Sequence, residues 1–143
     1  MSQSRLQIDT GLDQLACVRL TAKGLLRWYA RCCNTPIGNT LANPRVSIVG
    51  LIHTCLDPAT IDRDFGAVTA AVNTHTATGS TMPRQHRLLS TIGKFLVMSI
   101  ADRISGRYRQ SPLFSRAGSP VVEPRVLATE EVARLKTRNY DRR

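Results

Sequence analysis

Between Gln14 and Cys32 the chain carries two short alternating runs separated by Ala22-Lys23-Gly24. Leu15, Cys17, Arg19 and Thr21 alternate with Ala16, Val18 and Leu20, which predicts a strand over 14–21. Leu25 to Cys32 predicts the partner strand, and the intervening triplet the turn of a hairpin. Trp28, the only tryptophan, sits mid-strand beside Tyr29 and is expected to anchor the core. The next residues, Cys33-Asn34-Thr35-Pro36-Ile37-Gly38-Asn39, are so rich in turn formers that no regular strand is expected there.

Further along, the β-branched run Val46 to His53 predicts a buried strand, with a weaker one over Val68 to Val72. Asp57-Pro58 has the form of a helix start, Asp as cap and Pro in the first turn, and Gly66 limits that helix to a short one. Residues 1–13 read as a polar lead-in and 73–83 as a polar linker. The longest predicted helix covers 84–105, where Leu88, Leu89, Ile92, Phe95, Leu96, Ile100 and Ile104 recur at spacings of three and four. At 100° per residue these cover an arc of roughly 200°, wider than an ordinary core-facing stripe. Arg87 and Lys94 share the opposite face. Residues 106–143 read as an irregular basic tail, with a short helix capped at Thr129 and ending near Lys136. The expectation is one α+β domain over 1–143: an antiparallel β-rich part at 6–75, an amphipathic helix and the tail.

The net charge of +10 is uneven. Residues 84–116 carry seven Arg or Lys against the single acid Asp102, whereas residues 1–76 carry seven against five. Such a basic segment suits phosphate, an anionic membrane surface or an acidic partner, or is simply a solvated face. With seven aromatic residues, most of them in the hairpin or helix, no base-stacking platform is expected and nucleic acid is a poor candidate. The N-terminal residues lack the apolar run of a secretory signal, and the expected compartment is the cytoplasm. There the four cysteines, Cys17, Cys32, Cys33 and Cys55, are expected as thiols or metal ligands rather than disulfides. No glycine-rich phosphate loop or nucleophile elbow is present, and no residue is singled out as catalytic. His53, His75 and His86 have no metal-ligand spacing.

A strand that ends in cysteine and turns through Asn-Thr-Pro has the shape of a zinc knuckle, although two half-buried thiols packing a hairpin would look the same. The segment Arg27-Trp28-Tyr29-Ala30-Arg31-Cys32-Cys33-Asn34-Thr35-Pro36-Ile37-Gly38-Asn39-Thr40 resembles the second cysteine knuckle of the glutathione-dependent formaldehyde-activating enzyme family, in a little-characterised bacterial branch. Val49-Gly50-Leu51-Ile52-His53-Thr54-Cys55-Leu56-Asp57 is similar to the same branch, and the resemblance extends over about 6–75 and 120–135. It implies a tent-like β-rich fold around zinc and, for some members, making or breaking a carbon–sulfur bond in a glutathione adduct. By position, Cys33 matches the second knuckle cysteine and Ala30 stands where the first would be, with Cys32 a weaker substitute because alternation would turn its side chain to the other face. In the same reading Cys17 and Cys32 become neighbours across the hairpin, and His53 and Cys55 share a face of the later strand.

The family's N-terminal cysteine motifs have no counterpart in the chain, so the tent is expected to be incomplete and carbon–sulfur lyase-like activity, at most, to be slight in the chain alone. No cofactor is expected for it alone, and zinc only if the missing ligands are supplied. The second expectation is a non-enzymatic interaction module. It acts through the basic amphipathic helix over 84–105, which lies on an anionic membrane surface or meets a protein partner or second copy; the plain alternative is that this helix packs on the sheet.

Overall fold

The computed structural model describes residues 1–72, 74 and 84–140. Strands β1 (Leu15–Arg19), β2 (Leu26–Ala30), β3 (Thr35–Thr40), β4 (Val49–Leu51) and β5 (Arg125–Val126) form one open sheet in the order β4-β3-β2-β1-β5. The pairings among β1 to β4 are antiparallel, and β5 joins β1 in parallel. Helices α1 (Ile61–Phe65), α2 (Leu88–Ile104) and α3 (Thr129–Tyr140) complete an α+β fold.

Alternation explains the hairpin. Cys17 lies opposite Trp28 and Leu15 opposite Ala30, so Leu15, Cys17, Leu26 and Trp28 line one face. They form the core with Val49 of β4 and with Leu113 and Phe114, which follow α2. Trp28 is 1% exposed. Its indole Nε1 donates to Thr40 Oγ1 at 2.9 Å, and the Phe114 ring meets it edge-on at 6.1 Å. Gly38 lies opposite Trp28, and a Cβ there would stand 2.9 Å from the Gly50 carbonyl oxygen, so the β3–β4 approach requires glycine.

Several expectations fail for local reasons. Thr35 to Asn39 is not a loop but most of β3, because the turn closes earlier, at Arg31 to Asn34. The register shifts between Trp28 and Tyr29, so that Ile37 is an extra residue on β3, and Pro36 sits beside this irregularity, beyond the stretch paired with β4. The strand expected over 46–53 shrinks to Val49–Leu51, and His53–Cys55 is a 3-10 turn. Asp57 caps a turn through Ala59 N–H, and α1 starts only at Ile61; Gly66 ends it at φ 72°. Val68 to Val72 forms no strand, its single sheet-like contact being a bridge from Ala71 to His86. That bridge holds the chain extended up to His86, and α2 begins after Arg87 in the left-handed region. The linker expected over 73–83 lies, apart from residue 74, outside the described residues. The start of the last helix at Thr129 agrees, but it runs on to Tyr140.

Neither the segment before the sheet nor the one after α2 is idle. Val49 N–H donates to Met1 O and Gln3 N–H to Ser47 O, both at 2.9 Å. The buried Gln3 side chain donates to Ile48 O at 3.1 Å and accepts from the Ser111 hydroxyl at 2.8 Å. The segment read as a lead-in is therefore tied to the residues before β4, and the segment read as an irregular tail supplies core residues and β5.

Trp28→Ala is expected to lower unfolding stability by about 3–5 kcal/mol. Urea denaturation followed by circular dichroism measures it, and a loss below about 1 kcal/mol would place the indole outside the core.

Candidate functional site

The β2–β3 hairpin carries the thiols. Ala30 pairs with Thr35, so Arg31, Cys32, Cys33 and Asn34 close the loop, with Asn34 at φ 56°. Asparagine adopts this left-handed conformation more easily than most residues. Both cysteines are exposed at the tip. Because they belong to the turn and not to the strand, pleat alternation does not separate them. Cys32 Sγ donates to Cys33 Sγ across 3.7 Å, which corrects the expectation of opposed side chains.

Cys33 is further held by Thr35, whose Oγ1 lies 3.0 Å from its sulfur. The Thr35 hydroxyl first, then the Thr35 backbone N–H and the Cys32 thiol, draw the Cys33 thiol below its ordinary range. Cys32 is pushed the other way, chiefly by that same bond to Cys33. Cys33 is thus the readier of the two to lose its proton, and the thiolate is the form in which cysteine attacks electrophiles and binds soft metals.

The other donors lie elsewhere. Cys17 is in the core opposite Trp28, not beside Cys32, and burial pushes its thiol up to about 11. Cys55 closes its 3-10 turn by donating to Ile52 O at 2.8 Å. His53 is exposed in the same turn and not on a strand face with Cys55. His86 Nδ1 lies 3.0 Å from Arg84 O, and His75 falls outside the described residues. Among the described residues no three His, Cys, Asp or Glu side chains come together as a metal site. Thr35 was missed in the sequence; its position two residues after Cys33, on the returning arm of a turn, was the available signal.

The second notable surface is α2. Its one buried residue is Asp102, 2% exposed, which accepts from Ser2 Oγ and from Arg107 Nε at 3.2 Å. Its apolar residues point outward, with Leu89 84% and Ile104 83% exposed, so of the three placements left open for this helix its apolar face does not take the one against the sheet. Arg87 and Lys94 instead line a groove with Val68, Thr69 and Ala70. Among the described residues no helix is long and apolar enough to cross a membrane.

Residues 3–125 match a family described as "Family of unknown function (DUF6151)". The chain belongs to this family. The DUF6151 match spans the sheet, the dithiol tip and α2, and stops at the first residue of β5. No curated protein and no solved structure matches the chain.

Iodoacetamide is expected to label Cys33 before Cys32, and to leave Cys17 untouched in the folded protein. Thr35→Val removes the hydroxyl that supports the thiolate, so the pH at which Cys33 labelling is half-maximal should rise. Peptide mass spectrometry across a pH series reads this, and an unchanged midpoint would deny Thr35 its role.

Proposed function

We propose that the chain is a catalytically incomplete relative of the glutathione-dependent formaldehyde-activating zinc proteins, and that the hairpin tip contributes Cys33 and Cys32 to a zinc site completed by another polypeptide. One observation carries the reading. In a tetrahedral site with zinc–sulfur bonds near 2.3 Å, two sulfurs stand about 3.8 Å apart. Cys32 and Cys33 stand 3.7 Å apart at an exposed tip, matching one edge of such a tetrahedron. The match is to half a site only, since no third donor joins them among the described residues.

The residues present suit thiolate ligation in other respects. Thr35 hydrogen-bonds the Cys33 sulfur from outside the ligand set, the arrangement that orients ligands and tunes metal sites. All four cysteines are free, consistent with a reducing cytoplasm as the compartment. Zinc, when bound, supplies Lewis acidity toward a thiol or its adduct; this chain's own part is to present two sulfurs and hold one as thiolate. With two ligands in place of four, little or no carbon–sulfur lyase-like activity is expected of the chain alone.

Zinc titration of the full chain against a chromophoric chelator tests the proposal. Zinc uptake is expected to disappear in Cys33→Ser and to weaken in Cys32→Ser, with no change in the thermal unfolding of the zinc-free chain. Uptake that persists unchanged in the double variant would deny the cysteine pair its role, and a tightly held zinc ion in the chain alone would deny the need for another polypeptide; either would overturn the proposal.

A further inference from the structure

Helix α2 is inside out. At 100° per residue, Leu89, Ile92, Leu96, Val97, Ile100 and Ile104 fall within an arc of about 140°. All six are exposed, between 45% and 84%. Thr91, Met98, Ser99 and Asp102 lie off this arc and are the helix residues withdrawn from solvent. Seventeen residues make a rod about 25 Å long, presenting an apolar ridge whose arc also includes the exposed Arg103, in the last turn. A ridge of this kind on a monomer marks a surface that something covers.

Charge decides what covers it. Residues 84–116 contain one acid, Asp102, and it is buried against Ser2 and Arg107. Arg84, Arg87, Lys94, Arg103, Arg107 and Arg109 are all exposed, so every accessible side-chain charge between residues 84 and 116 is positive. A second copy would bring the same sign against itself, with no accessible carboxylate on α2 to answer Lys94 or Arg103. An anionic bilayer answers both features at once: its acyl boundary takes the ridge and its headgroups take the cations. We propose that α2 docks the protein, lying in the plane of the interface, on an anionic lipid surface. The proposal rests on residues separate from Cys32 and Cys33, and stands or falls independently of the zinc reading.

Flotation of the full chain with vesicles tests it, comparing phosphatidylcholine alone with phosphatidylcholine containing 30% phosphatidylglycerol. Binding is expected only to the anionic vesicles and should fall as salt rises. Each basic residue at an anionic surface contributes a factor of about five, so Lys94→Gln with Arg103→Gln should weaken binding about 25-fold. Leu96→Glu with Ile100→Glu should abolish it; both sites are exposed, and an unchanged circular dichroism melt verifies the fold. Should that pair disturb folding, Leu96→Ser with Ile100→Ser serves instead. Failure to float with anionic vesicles, or flotation undiminished by loss of the ridge, would overturn the proposal. So would a lipid-free dimer in sedimentation that the ridge variants dissociate, since a second copy would then be the cover.

Discussion

The contact of Trp28 with Thr40 and Phe114 holds the molecule together. The indole lies on the central strand of five, its N–H is satisfied by β3, and its ring receives Phe114 from a segment more than eighty residues later. Burying an indole is favourable only if the N–H keeps a partner. Thr40 provides that partner, so the sheet can bury its largest side chain at no polar cost. Everything that must lie near the indole follows: glycine at 38, where β4 comes close, and the Leu113-Phe114 lid over the open side.

Polar pairing orients the long helix. A helix commonly turns its apolar face inward, but here Asp102 takes that place because Ser2 and Arg107 both donate to its carboxylate. A buried carboxylate with its donors in place is tolerated, whereas one stripped of them destabilises strongly. The orientation of α2 and the seating of the chain from Met1 to Gln3 are thus two views of one arrangement, and the outward ridge follows from it.

The first hairpin was legible because period-two alternation and a turn triplet coincide there. β3 was not, since Pro36, Gly38 and Asn39 look like loop formers until the register shift and the close approach of β4 give each a place. Gln3, Leu113 and Phe114 carry no periodicity, and their burial depends on partners more than eighty residues distant. At the candidate site the cysteine pair was visible, but its geometry was not. Alternation was carried one step too far, through residues that belong to the turn, and that step turned two adjacent sulfurs away from each other. The inverted helix had no readable trace, because Asp102 is tolerated in the interior only once Ser2 and Arg107 donate to it, and Ser2 lies a hundred residues away.

The parallel strand β5 also shapes how the chain can fold. Its partner β1 lies more than a hundred residues earlier, and the Gln3–Ser111 bond spans 108 positions. Contacts of such high sequence separation close large loops, and they slow folding because chain entropy is lost before the contacts form. On the ribosome, the hairpin of β1 and β2 is available long before residue 111 or residue 125 is made. Through that interval the free edge of β1 is an unpaired row of backbone donors and acceptors. Its flank is sealed only when residues 125 and 126 arrive, so the order of synthesis leaves that edge open to pairing with a neighbouring chain until they are made.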